Sequence, residues 1–98
     1  MDNHVHLLAT GLRPGAIASA LRRLAQCHTQ SINRKHRRSG TLWEGRFKSC
    51  LVGSERYLLS VYRYIELNPV RARIVERPEQ HAWSSVHANA FLRSDAIV

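Results

Sequence analysis

Hydrophobic and polar positions in the first third of the chain predict one strand and one helix. Polar and apolar residues alternate at the start of residues 3–10 and give way to an apolar run, a pattern typical of a buried strand. Apolar side chains then recur at three- and four-residue spacing from Ile17 to Ile32, which predicts a helix over residues 15–34. Pro14 suits the first turn of this helix because its φ angle is already fixed near the helical value.

The next part of the chain repeats this order. Residues 46–52 are rich in side chains that favour strands and predict a second strand. Ser54 is a natural N-cap, and Glu55 favours the positive end of the helix dipole. A second helix is therefore predicted over residues 55–67. It ends there because Pro69 has no N–H and biases the preceding residue away from helix.

The remaining residues carry weaker signals. We expect residues 77–98 to be loop or short helix, with Trp83 packed back onto the helices and about the last six residues disordered. The order strand, helix, strand, helix predicts an α+β fold in which helices cover a small sheet. A chain of 98 residues is long enough for one such domain, residues 1–98, and not for two.

Charge adds a candidate partner. The chain carries 15 lysine and arginine residues against 7 acidic residues, a net charge of +8, and all of the basic residues except Lys35 and Lys48 are arginines. Because the planar guanidinium matches phosphate groups bidentately, this composition favours nucleic-acid binding. The alternative is a solvated basic surface with counter-ions as its only partners.

Two classes of protein are disfavoured. Cys27 and Cys50 lack the close spacing of a structural zinc site, so we expect free thiols in a reducing cytoplasm. No apolar run approaches the roughly 20 residues of a membrane span, and the N-terminus has no signal-peptide pattern. A cytoplasmic location without membrane partners is predicted.

His4, Val5 and His6 form the first candidate for chemistry. In a strand, side chains at i and i+2 share a face, so the two imidazoles would lie side by side with Val5 on the other face. Neutral imidazole is a common ligand for transition metals, and a third ligand would be needed. Two ordinary polar strand residues remain the alternative.

Tyr64 and Asn68 form the second candidate. Four residues apart on a helix, they would present a phenol and a carboxamide on one face, which Tyr57 and Val61 continue. The alternative is a core aromatic whose hydroxyl lies at the boundary.

Residues 37–49 form the third candidate, because they interleave basic side chains with aromatic and small ones. Arginine and lysine bind phosphates, whereas Trp43 and Phe47 offer rings on which unpaired bases can stack. The alternative is a charged hairpin in which Trp43 belongs to the core.

Four segments together resemble one family, and they occur in the same order along the chain. They are residues 2–8 (DNHVHLL), 39–49 (SGTLWEGRFKS), 64–72 (YIELNPVRA) and 83–85 (WSS). The set resembles the REP-associated tyrosine transposases, a domesticated branch of the insertion-sequence 200/605 class of single-tyrosine HUH transposases. The resemblance covers about residues 1–86.

The resemblance implies a site and a substrate. Tyr64 falls on the nucleophilic tyrosine, and His4, His6 and Asn68 fall on the ligands of a divalent ion, Mg²⁺ or Mn²⁺. The implied substrate is single-stranded DNA next to a hairpin, such as a repetitive extragenic palindrome, in a bacterial nucleoid. The side chains expected to contact DNA are Arg22, Arg23, Arg37, Arg38, Trp43, Arg46, Lys48 and Arg71.

The family also implies a fold: a small ferredoxin-like (RRM-like) antiparallel sheet with helices on one face. Family members usually have a further strand and helix before the histidine strand, which here begins almost at residue 1. We therefore expect a sheet that lacks these first elements, and a homodimer that completes it.

Two other functions remain open. A truncated, catalytically inactive remnant would keep the basic surface and bind nucleic acid without cutting it. A metal-dependent hydrolase would use His4 and His6 with water as the nucleophile and would leave no covalent adduct. Both differ from the transposase in a single observable, the protein–DNA adduct.

Overall fold

The computed structural model describes residues 3–95. Three α-helices form in this range, α1 (Ala16–His36), α2 (Glu55–Arg71) and α3 (Val86–Asn89), and a 3₁₀ helix (Pro78–Gln80) precedes α3. None of them has the length and hydropathy that a bilayer crossing requires. The chain divides into two compact units. The first, here called the tyrosine unit, comprises Met1–Leu8 and Val52–Val98, and the second, the α1 unit, comprises Ala9–Leu51.

The predicted α+β fold is wrong. Residues 3–95 contain no β-strand and no sheet, so this is not a ferredoxin-like (RRM-like) architecture with helices on one face of a sheet. Both predicted strands, residues 3–10 and 46–52, are irregular segments. Val5 and Leu7 are 72% and 63% exposed, which is opposite to a buried strand.

A high strand propensity of the side chains does not ensure that the segment has a neighbouring strand with which to pair. Side chains that favour strands are those that fit a half-buried pleated surface, but the backbone needs a neighbouring strand to satisfy its N–H and C=O groups. Two strands are also few for an independent sheet. The described residues form no sheet for a second copy to complete, and the homodimer itself stays a prediction.

Helix α1 agrees with the predicted helix to within two residues at each end. It begins at Ala16 after Gly15, whose φ of 76° lies in the left-handed region that glycine adopts without strain. It ends at His36, and Arg37 adopts φ 49° and donates its N–H to the carbonyl of Asn33. Basic side chains fill the last turn, where they interact favourably with the negative end of the helix dipole.

Helix α2 begins as the sequence predicts. Ser54 is the N-cap, and its Oγ accepts a hydrogen bond from the N–H of Tyr57 at 3.2 Å. Glu55 occupies the first turn, at the positive end of the dipole. The predicted start of this helix is therefore confirmed, and so is its N-cap residue.

The predicted end of α2 is wrong by one turn. The helix continues through Pro69, which is buried, to Arg71. It then closes by a Schellman motif, in which the N–H of Ile74 bonds to the carbonyl of Pro69 and the N–H of Arg73 bonds to that of Val70, both at 2.9 Å. Pro69 removes a single hydrogen bond near the helix end, and these two bonds satisfy the carbonyls that follow.

The C-terminal segment packs on α2 through a small apolar and polar contact. Val86 is 5% exposed and is the most buried hydrophobic side chain among residues 3–95. Trp83, by contrast, is 90% exposed, so the prediction that it packs back onto the helices is wrong. The predicted C-terminal loop contains the 3₁₀ helix and α3, and residues 96–98 of the expected disordered tail lie outside the described residues.

Glu66 connects α2 to this C-terminal segment. Its Oε1 accepts hydrogen bonds from Ser85 Oγ at 3.1 Å and from Asn89 Nδ2 at 2.7 Å. The bond from Ser85 joins the segments 64–72 and 83–85, in which neither Glu66 nor Ser85 had an assigned role. Hydrogen bonds to a charged group are stronger than those between neutral groups, so this carboxylate anchors α3 to α2.

We expect Glu66→Ala to lower the free energy of unfolding by about 1–3 kcal/mol, because it removes the shared acceptor and leaves Ser85 and Asn89 without their partner. Urea unfolding followed by circular dichroism measures the change. Glu76→Ala is the matched control, since it removes a carboxylate from the same unit. Equal effects of the two substitutions would contradict the anchoring role.

Candidate active site

Four side chains of the tyrosine unit lie together: His4, His6, Tyr64 and Asn68. The ring centroids of the two histidines are 5.0 Å apart, and those of His6 and Tyr64 are 5.3 Å apart. Both pairs meet edge to face, with interplanar angles of 89° and 80°. His6 Nε2 lies 3.3 Å from Asn68 Nδ2. The tyrosine and the three candidate metal ligands therefore belong to one cluster.

Helix α2 determines half of this cluster. Tyr64 and Asn68 are four residues apart on a regular helix and therefore lie on the same face. Tyr57 and Val61 extend that face and, with Ser60 and Tyr64, line an open groove beside the phenol ring. Tyr64 is 46% exposed, so a polymer substrate can reach its hydroxyl.

The histidine half lies in an irregular segment that contacts α2 through His6. His4 is exposed, and its Nδ1 lies 2.8 Å from Asn3 Oδ1. A carboxamide oxygen accepts hydrogen bonds, so this contact suits the His4 tautomer that has its proton on Nδ1. The sequence analysis did not single out Asn3 as a partner of His4. The position of Asn3 next to His4 in the sequence could have indicated this contact.

The donor atoms fit a divalent cation. The lone pair of His6 Nε2 accepts from the Asn68 amide, and a half-turn of that carboxamide exchanges its nitrogen for its oxygen. The amide oxygen of Asn68 would then lie beside His6 Nε2, and the ring of His4 lies next to that of His6. Within residues 3–95, no three His, Cys, Asp or Glu side chains cluster as a metal site. Asn68, whose amide nitrogen contacts His6, could supply an oxygen there after that half-turn.

Arg71 also lies close to the phenol ring. Its Cζ is 5.6 Å from the centroid of the Tyr64 ring, within the range of a cation–π contact. Sequence reasoning assigned Arg71 to the DNA backbone or to the surface and gave it no relation to Tyr64. The extra turn of α2 beyond Asn68 is what keeps the guanidinium on this face.

A comparison with known families identifies the chain. The model of the family described as transposase, IS200-like, matches residues 1–68, more than half of the sequence. The protein belongs to the IS200-like transposase family. No curated protein and no solved structure matches it. The matched range contains all four residues of the cluster, and it supports a transposase role for this chain.

The α1 unit of this transposase carries most of the basic side chains expected to contact DNA. All six of them are exposed: Arg22, Arg23, Arg37, Arg38, Arg46 and Lys48. Arg37 and Arg38 follow the last turn of α1, which adds Arg34, Lys35 and His36 to the same basic run. Arg34 and Lys35 were missing from the expected contacts, although their position within that run was visible in the sequence.

Trp43 holds the irregular part of the α1 unit against its helix. Its indole Nε1 donates to the carbonyl of Ala25 at 3.2 Å and to Thr29 Oγ1 at 3.1 Å, and its ring lies 5.9 Å from that of His28. The side chain is 43% exposed. The indole N–H is therefore committed to a structural contact, while part of the ring remains open to solvent.

We expect Trp43→Phe to lower the free energy of unfolding by about 1–2 kcal/mol, because the phenyl ring cannot donate and two acceptors on α1 lose their partner. Trp83→Phe is the matched control. Since Trp83 is 90% exposed, its replacement should change stability by less than about 0.5 kcal/mol. Thermal unfolding of both variants measures the difference, and equal midpoints would contradict the anchoring of Trp43.

Proposed function

We propose that this transposase cuts and rejoins single-stranded DNA beside a short hairpin, with Tyr64 as the nucleophile, in the manner of the REP-associated tyrosine transposases that it resembles. The observation that supports this most strongly is the cluster of Tyr64 and Asn68 with the histidine pair. His6 and Asn68 are 62 positions apart in the sequence, yet their side chains are in contact. His6 contacts the Tyr64 ring, and both His4 and Asn68 contact His6.

His4, His6 and Asn68 would hold the divalent ion in this proposal. Imidazole suits softer divalent ions and oxygen suits Mg²⁺ and Mn²⁺, so a mixed set with open positions for phosphate and water fits Mn²⁺ well. When bound, such an ion polarises the phosphate and offsets the charge that develops on its oxygens. The contact with Asn3 suits the tautomer of His4 that leaves Nε2 free for this purpose.

Tyr64 would perform the cleavage itself. Its Oη forms a bond to the scissile phosphorus while the bond from phosphorus to the 3′-oxygen breaks. The phenolic proton passes to solvent, and the 3′-oxygen takes up a proton. The product is a 5′-phosphotyrosine diester with a free 3′-hydroxyl. Because the energy of the phosphodiester is kept in the link, a second 3′-hydroxyl can rejoin the strand without ATP.

The basic side chains of the α1 unit would bind the DNA backbone. Phosphate contacts position a strand and make its affinity depend on salt, whereas stacking on rings holds unpaired bases. The basic run at the end of α1 provides the charge, and the exposed part of Trp43 offers a ring surface. We place this activity in the bacterial cytoplasm, at the nucleoid.

A covalent-adduct assay tests the proposal. The purified protein is mixed with a library of single strands, each with a short hairpin, a randomised flank and a label on the 3′ end, in the presence of Mn²⁺ or Mg²⁺. We expect a labelled protein–DNA species that survives denaturation and disappears with EDTA. Bound but uncut strands would indicate the inactive remnant instead, and cut strands without an adduct would indicate the hydrolase.

A further inference from the structure

Two groups of different chemistry contact the tyrosine ring. His6 meets it edge to face, and the Arg71 guanidinium lies 5.6 Å from its centroid. Tyr64 and Arg71 are seven residues apart, two turns along α2, which places them on one face of the helix. This register exists because α2 continues through Pro69 and closes only after Arg71.

The charge of Arg71 is not neutralised by a carboxylate in the described part of the chain. The ion pair found there joins Arg77 to Glu79. Glu66, the acidic side chain of α2 closest in sequence, accepts from Ser85 and Asn89 instead. Arg71 is itself exposed. An exposed guanidinium that lies over the ring of a nucleophile, without a carboxylate partner among the described residues, is placed to bind an anion attached to that ring.

We propose that Arg71 is the positioning residue of the nucleophile: it holds the Tyr64 ring in the attacking orientation and receives the phosphate that becomes attached to Tyr64. This inference rests on the proposed function. A ring that is half exposed would otherwise rotate among several orientations, and fixing the reacting group removes an entropic cost from the barrier. After the Oη–phosphorus bond has formed, the guanidinium lies beside the phosphate of the link.

This role differs from a general contact to the DNA backbone. A backbone contact contributes to affinity in every complex, so its loss raises Kd and leaves the rate at saturating DNA nearly unchanged. A positioning contact acts on the rate of adduct formation once DNA is bound. The two roles therefore separate when rate and affinity are measured on the same variant.

The test compares Arg71→Ala, Arg71→Lys and Arg63→Ala. Arg63 is a matched control because it is an exposed arginine of the same helix. At saturating DNA, we expect Arg71→Ala to slow adduct formation by roughly 10- to 100-fold and Arg63→Ala by less than about 3-fold. Arg71→Lys should recover only part of the rate, because an ammonium group keeps the charge but lacks the planar stack. The Kd for the strand is measured on the same variants, so that an effect of Arg71→Ala on affinity is separated from its effect on the rate.

Equal adduct rates for the two alanine variants would overturn the inference. A second measurement is independent of activity: nuclear Overhauser contacts between the Arg71 δ-protons and the Tyr64 ring protons in the wild-type protein. We expect these contacts, and their absence would also overturn the inference. If the wild type formed no adduct, the proposed function would fail, and the Overhauser contacts would still decide whether Arg71 holds the ring.

Discussion

Tyr64→Phe should abolish the covalent protein–DNA link, with a loss of roughly 10³-fold or more in adduct formation. The substitution removes the Oη that forms the bond to phosphorus and leaves the rest of the ring in place. The contacts of the ring with His6 and Arg71 need only its aromatic face and edge, so they should persist. The measurement is the labelled adduct on a denaturing gel, with single-stranded DNA in excess.

Tyr62→Phe is the matched control for this result. Tyr62 is in the same helix and is 37% exposed, close to the exposure of Tyr64. It lies two positions away and therefore on a different face of α2. We expect its loss to leave the adduct within about 3-fold of wild type. An adduct that persists in Tyr64→Phe and disappears in Tyr62→Phe would move the nucleophile to Tyr62 and refute the assignment.

His6→Ala is expected to have the second largest effect, a weakening of Mn²⁺ binding by roughly 100-fold or more, because loss of a direct ligand should exceed the 10- to 100-fold cost of losing a ligand's second partner. His6 contacts both Asn68 and Tyr64, so it is central to the cluster. Titration of Mn²⁺ by calorimetry, or by the loss of the free-ion signal in electron paramagnetic resonance, measures the affinity without DNA.

His36→Ala provides the comparison for this effect. His36 is an exposed histidine of the last turn of α1 and belongs to the other unit. Its removal should leave Mn²⁺ affinity unchanged within error. Asn68→Ala should weaken binding less than His6→Ala, since a water molecule can replace one amide oxygen. Wild-type affinity in His6→Ala would show that the histidine pair is not the metal site.

Because the histidine segment has few contacts with α2, a bound metal would also stabilise the fold. The segment has no strand partner in the described part of the chain, and it meets α2 through His6 and its hydrogen bond to Asn68. A ligand that binds only the folded arrangement stabilises it by mass action. A metal bound to His4, His6 and Asn68 would join the two segments of the tyrosine unit. The metal would therefore stabilise the folded tyrosine unit in addition to its role in the proposed reaction.

Local features of this transposase could be predicted from its sequence. Helical spacing predicted α1 to within two residues, and the side chain of Ser54 predicted the start of α2. Placement of Tyr64 and Asn68 on one face needed only the helix repeat. The ordered motifs indicated the transposase family, which the match over residues 1–68 confirms. These features depend on neighbours within a few residues, and such neighbours can be read directly from the chain.

Contacts between residues that are distant in the sequence became known only from the tertiary structure. Residues 3–10 and 46–52 have the side chains of strands, but strand formation depends on a pairing partner that the pattern does not specify. The continuation of α2 through Pro69 is a local feature that the proline rule did not predict, and the helix closes with the hydrogen bonds of Arg73 and Ile74. That extra turn carries Arg71 to the ring of Tyr64, and long-range contacts bring His6 to Asn68. Hydrogen bonds and ring contacts between residues far apart in the sequence leave no local pattern. The sequence therefore indicated Tyr64 and the candidate ligands His4, His6 and Asn68, but it could not show that their side chains lie together.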